Sequence, residues 1–132
     1  EEEAAHEEMH ALVPDPRVRY ADSPSLRHAA ALVSRCAGFL SVDTVFMHLA
    51  SAVRVPRQWV IETPTLNPVV APRRDDWIRI PNPGVKNPLD WYRYDGRPIS
   101  GTPESIRRCM ESVSVDAVHA ALMRDLPPVR NV

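Results

Sequence analysis

Apolar residues recur along the first half of this chain at helical spacing, interrupted by short runs that are apolar throughout. Ala5, Met9 and Leu12 form a stripe that stops before Pro14, and Val18-Arg19-Tyr20 reads as a short strand. Ser23 is placed to cap a helix that begins at Pro24, with Leu26, Ala29, Ala30, Val33 and Ala37 on one face. Gly38-Phe39-Leu40-Ser41-Val42 suits a buried strand. After Asp43-Thr44 an apolar helix runs from Phe46 to Val53 and is expected to end at Pro56, and Gln58-Trp59-Val60-Ile61 reads as another buried strand. Strand, tight turn, helix and strand within residues 38–62 imply parallel neighbours, the βαβ unit.

The C-terminal part repeats the capping logic. Thr102 precedes Pro103-Glu104, and Ile106, Cys109, Met110 and Val113 supply an apolar face. Ser114 caps a helix from Val115 to Leu126, striped by Val118, Ala121, Leu122 and Leu126. Between these regions, residues 63–103 hold eight of the chain's prolines and read as extended and loop-rich. The fold class is therefore α/β, a parallel sheet covered by helices on both faces, in one domain over residues 1–132. Three or four strands are few for such a sheet, so an additional N-terminal strand or a partner domain is expected.

Composition narrows the function classes. Sixteen basic against seventeen acidic residues leave a formal charge of −1, which disfavours nucleic acid or an anionic membrane as a partner of the whole surface. No apolar run approaches the roughly 18 to 20 residues of a membrane helix. The opening Glu1-Glu2-Glu3 has neither the basic nor the apolar character of a leader, so a cytoplasmic location, peripheral to the inner membrane at most, is expected. Fourteen prolines against four glycines exclude a glycine-rich phosphate loop. Cys36 and Cys109 show no CxxC spacing and read as idle thiols ahead of a disulfide or metal pair.

Candidate chemistry gathers where the first buried strand of the βαβ unit turns into its helix. Ligands of open parallel sheets bind beyond the carboxyl ends of the strands. At Asp43-Thr44 the first amides of the helix, its dipole and a hydroxyl offer an anion site, and His48 follows one turn along the same face. Taken singly, the same residues also read as a helix cap and a packed histidine.

The string from Leu40 to Ala52, Leu-Ser-Val-Asp-Thr-Val-Phe-Met-His-Leu-Ala-Ser-Ala, is followed by Pro56, Trp59-Val60-Ile61 and Thr63-Pro64-Thr65-Leu66-Asn67-Pro68. It resembles the donor-site signature of the heptosyltransferases, the lipopolysaccharide glycosyltransferases of family nine. In that family a strand ends in Ser-Val-Asp-Thr-Gly, a helix carries His-Leu-Ala-x-Ala, and a second strand ends in Gly-Pro-Thr before a proline. The segment from Ser25 to Cys36 is also similar, and the likeness covers residues 17–72.

The resemblance implies a GT-B arrangement of two Rossmann-like halves, this chain being most of the C-terminal half that binds a nucleotide-diphosphate sugar, an ADP-sugar by family habit. It implies that Asp43, Thr44 and Val45 face the donor's diphosphate and sugar, that His48 supports the phosphates, and that Thr65 lies near the nucleotide. An inverting transfer to a saccharide or lipid-linked acceptor develops negative charge on the departing diphosphate, which amides, a hydroxyl and an imidazole at a helix start stabilise. The general base belongs in that family to the N-terminal half, so no catalytic residue, metal or cofactor is assigned here, and an N-terminal Rossmann-like domain is the implied partner. Where the family has glycine, this chain has Val45 and Thr63. The alternative is therefore a non-catalytic interaction domain derived from the same fold.

Two further features carry other readings. His6-Glu7-Glu8-Met9-His10 has the HExxH spacing of zinc metallopeptidases, although Glu8 is charged where such helices are apolar, and a solvated helix is the plainer reading. Trp77, Trp91, Tyr92 and Tyr94 lie among Arg73, Arg74, Arg79, Lys86 and Arg93, but Asp75, Asp76, Asp90 and Asp95 offset those charges. A proline-rich excursion anchored by aromatics is expected there, with an acceptor-facing or domain-contacting surface as the functional alternative.

Overall fold

The computed structural model describes residues 2–66, 68–72, 74–86 and 101–126. Its elements in chain order are α1 (Glu2–Leu12), α2 (Leu26–Val33), β1 (Phe39–Ser41), α3 (Val45–Ala52), β2 (Gln58–Ile61), β3 (Trp77–Ile80), α4 (Pro103–Glu111) and α5 (Val115–Asp125). The three strands form one parallel sheet in the order β1-β2-β3. Phe39 pairs with Gln58 and Gln58 with Trp77, so the strands start level.

Side chains alternate between two cores because successive strand residues point to opposite faces. On one face Met47 of α3 meets Val60, Leu66 and the half-buried Trp77. On the other, Trp59 and Ile80 pack with Ala121 of α5. A third cluster, Val33, Ala50 and Val55 with Phe39, seats α2 against α3 and the start of the sheet. The expected α/β sheet with helices on both faces is what forms, and the βαβ unit stands as read. No helix among the described residues is long and apolar enough to cross a membrane.

Gln58 joins helix to sheet with polar atoms. Its Nε2 donates to the Met47 carbonyl at 2.7 Å, and its Oε1 accepts from Ser51 Oγ at 2.8 Å. The side chain is buried and the amide satisfied at both ends, as burial in an apolar core requires.

Five local expectations are corrected. Residues 18–20 form no strand: Val18 closes a turn onto the Asp15 carbonyl, and Tyr20 is exposed. The cap of α2 is Ser25 rather than Ser23. Ser25 has the extended backbone a cap needs and accepts from the His28 amide, while the Ser23 hydroxyl donates to the Ser25 carbonyl. Ala37 lies outside the helix and is exposed.

Pro56 does not end α3. Arg54 takes a left-handed backbone with φ 55°, letting its amide reach the Ser51 carbonyl and the Val55 amide the Ala50 carbonyl, a Schellman closure with arginine where glycine is usual. Finally, the proline-rich segment contains β3, bounded by Pro72 and Pro81. The caps at Thr102 and Ser114 are as expected, Thr102 with a reciprocal box to Ser105.

Two glycines mark close approaches. A Cβ on Gly38 would stand 2.5 Å from the Trp59 ring. One on Gly84 would stand 2.9 Å from the Cys109 carbonyl oxygen and 2.8 Å from Ser112 Oγ, so the loop after β3 lies directly on the end of α4. Burial there pushes the Cys109 thiol above its usual range, against the lowering effect of the Asn82 amide that donates to its Sγ.

Gly84→Ala is expected to lower unfolding stability by about 1–3 kcal/mol, because backbone of α4 must move to admit the methyl group. Arg54→Gly is expected to raise it by about 1 kcal/mol through relief of the left-handed conformation. Urea titration of each variant beside the parent measures both, and a stabilised Gly84→Ala would contradict the packing described.

Candidate functional site

The β1-to-α3 junction is built by chain geometry before any side chain acts. Two residues after Ser41, the last of β1, Asp43 is half-buried; Thr44 follows in extended backbone as the cap of α3. The Thr44 hydroxyl makes no cap hydrogen bond, and the residue is exposed. The amides of Val45 and Phe46 lie in the first turn, where an α-helix provides no acceptor of its own. Val45 is 55% exposed, so its isopropyl group stands at the surface beside Thr44 and does not fill the corner. His48, one turn along, is exposed.

The loop after β2 comes back to this corner. Thr65 Oγ1 donates to Asp43 Oδ2 at 2.8 Å, across 22 residues of chain. Thr63 and Thr65 hydroxyls stand 3.0 Å apart, and since the Thr65 proton is committed to the carboxylate, Thr63 is the donor between them. Thr63 Oγ1 in turn accepts from the amides of Thr65 at 3.3 Å and Leu66 at 3.2 Å. A hydroxyl relay thus runs from a buried threonine through Thr65 to Asp43. It holds one oxygen of the Asp43 carboxylate.

Asp43, Thr44, Val45, His48 and Thr65 are therefore placed at one corner, with Asp43 and Thr65 in direct contact. Thr63, a departure from the resembled pattern, turns inward and braces its own loop. Behind the corner, the Ser41 hydroxyl is buried and has no hydrogen-bond partner among the described residues.

Sequence reading passed over a neighbouring network. Glu62, directly after β2, is 3% exposed; its carboxylate pairs with Arg79 of β3 and accepts from the Asn82 amide at 3.0 Å, while Asn82 Nδ2 donates to the Glu62 carbonyl at 3.1 Å. A glutamate immediately after a buried strand was the available signal. Buried carboxylates are tolerated when paired and hydrogen-bonded, and this one is both.

Two cavities lie elsewhere. One of about 390 Å³ is lined by Ile61, Met110, Val118, His119 and Leu122, on the α5 side of the sheet. The other, about 660 Å³, lies at the far end of α3 among Ser51, Arg54, Arg74, Asp75 and Asp76. Neither includes the Thr44 corner, whose residues 44–46 are exposed.

The zinc spacing gains no support from geometry. The side chain of His6 lies outside the described structure, Glu7 and Glu8 are exposed, and no metal-holding group of His, Cys, Asp or Glu forms among the described residues. Of the aromatic segment, Trp77 of β3 is half-buried against the Met47 cluster, Arg74 pairs with Asp76, and Arg79 pairs with Glu62. Arg73, Asp90, Trp91, Tyr92, Arg93 and Tyr94, like Asp95, lie outside the described residues, as does Asn67.

Compared with models of protein families, with curated proteins and with solved structures, the chain matches none.

Thr63→Val is expected to cost about 1–3 kcal/mol, since two loop amides lose their acceptor. Thr63→Ser is expected to retain most of the stability. Denaturation midpoints of the two variants test this, and equal midpoints for Val and the parent would show that the relay does not hold the loop.

Proposed function

We propose that this chain is the donor-binding half of a glycosyltransferase of the heptosyltransferase kind, seating a nucleotide-diphosphate sugar at the β1-to-α3 corner. The observation that carries the reading is the Thr44 cap: a strand-to-helix junction at the carboxyl edge of a parallel sheet, with an uncommitted hydroxyl and open first-turn amides. Such a junction suits phosphoryl oxygens by hydrogen bonding and by helix dipole together. Asp43 supplies a carboxylate oxygen suited to sugar hydroxyls, and His48 a donor on the same helix face. As the diphosphate leaves, its growing charge would be met by groups already aimed at it. The likeness of residues 17–72 to the family's donor signature supports the assignment, and the positions of Val45, on the surface, and Thr63, inside its own turn, are compatible with an open corner.

The second reading is a non-catalytic interaction domain of the same fold. Val45 favours it, because a β-branched side chain stands where glycine would let a ligand approach the backbone.

Calorimetric titration of the full chain with ADP separates the two. Saturable binding is expected, weakened about 10- to 100-fold in Thr44→Ala and in His48→Ala, the range for one hydrogen bond to a charged group. A flat titration with ADP and with other nucleoside diphosphates would remove the transferase reading and leave the interaction domain.

A further inference from the structure

Two apolar surfaces are left without a partner among the described residues. The first is α1, whose sequence places Ala5, Met9, Leu12 and Val13 at the spacing of a helix that lies in a groove. Met9 is 43% exposed, Leu12 75% and Val13 45%, and no core cluster includes a residue of this helix. Of its described side chains only His10 is even half-buried. At 11 residues α1 is shorter than the roughly 12–15 that hold a helix alone in water, so its stability has to come from burying that stripe.

The second is the groove of about 390 Å³ on the α5 side of the sheet. Ile61 of β2, Met110 of α4, Val113 of the turn between α4 and α5, and Val115, Val118 and Leu122 of α5 line it. His119 is its one titratable residue. Val115, at 83%, is the most exposed of the large apolar side chains described. A concave apolar surface with an aliphatic side chain standing open at its border suits an apolar helix face.

The occupant follows from where the chain puts its own helix. α1 leads into α2, which is seated on the α3 side of the sheet through Val33, whereas Ile61 packs on the α5 side with Trp59 and Ile80. To fill its own groove, α1 would have to carry the connecting residues around the border of the sheet. A second copy presents the same groove with no such detour and accepts a helix in return. Reciprocal exchange covers both surfaces of both chains and closes as a two-fold dimer. We propose that this chain pairs with a second copy of itself by exchange of α1, the Met9, Leu12 and Val13 stripe of each copy lying in the groove between β2, α4 and α5 of the other. Neither surface includes the Thr44 corner, so pairing and nucleotide binding are separable.

Sedimentation of the full chain over about a hundredfold range of concentration reads the pairing directly, and a dimer that dissociates on dilution is expected. Leu12→Glu removes the donated stripe and Val115→Glu charges the groove. Both positions are largely exposed, so thermal melts of the variants are expected to match the parent. Each variant alone is expected to dimerise about tenfold or more weakly, the loss of one apolar anchor. Mixed together they are expected to regain association, because the mixed pair keeps one intact contact: α1 of the Val115→Glu copy in the groove of the Leu12→Glu copy.

A parent that stays monomeric, variants that dimerise like the parent, or a mixture that associates no better than the separate variants would each overturn the exchange. So would a dimer lost in Leu40→Lys and kept in Leu12→Glu, which would put the contact at the β1 border. If either variant melts below the assay temperature, hydrogen exchange of the parent decides. The α1 amides are expected to exchange more slowly as concentration rises, and unchanged exchange would refute the proposal.

Discussion

Level registration of three parallel strands is the constraint on which the rest of this structure depends. Phe39, Gln58 and Trp77 stand side by side, so the turn at Asp43 and the loop that begins at Glu62 leave the sheet at the same edge. Gln58 turns that backbone alignment into a helix position. By bonding the Met47 carbonyl and Ser51 hydroxyl from the first residue of β2, it sets where α3 lies over the sheet, and with it where Thr44 opens. Apolar packing of Met47 on Val60 and Leu66 holds the two layers together, but it is less directional than a buried amide satisfied at both ends.

The carboxyl edge that results combines two kinds of order. Hydroxyls are aligned by direction: Thr63 donates to Thr65 and Thr65 to Asp43, each proton committed in turn. Charges are aligned by pairing, with Glu62 buried beneath Arg79 and clamped by Asn82. Both depend on the loop after β2, whose turn is closed by the Thr63 hydroxyl where the resembled signature has glycine. Threonine thus gives up backbone freedom and supplies in its place the acceptor for the Thr65 and Leu66 amides.

Much of this was legible in the sequence where local chemistry and periodicity agreed. The βαβ unit was readable because Gln58 to Ile61 is a short run bounded by Pro56 and followed by a polar turn, and the caps at Thr102 and Ser114 because cap residues, Pro103 and acidic first-turn residues coincide. Strand β3 was hidden by its surroundings: Trp77-Ile78-Arg79-Ile80 is only four residues long, within a stretch whose prolines argue against regular structure. The assumed strand at Val18 to Tyr20 failed for the opposite reason, since β-forming residues alone make no strand without a partner. The end of α3 was assigned to Pro56 because proline is the usual stop signal, whereas Arg54 supplies the left-handed residue two positions earlier at some strain. The candidate corner was readable from strand, turn and helix order. The Thr65–Asp43 bond and the Glu62–Arg79–Asn82 network were not, because those contacts join residues 17 to 22 positions apart that only the folded sheet brings together.

Among the described residues β1 is an outer strand of the sheet, and Leu40 on it is 39% exposed. An outer strand presents backbone donors and acceptors that can pair with another extended segment, and an exposed leucine favours such pairing. Shielding by a neighbouring segment in a longer polypeptide would suppress self-association, and a lysine at position 40 would do the same by making stacked copies repel.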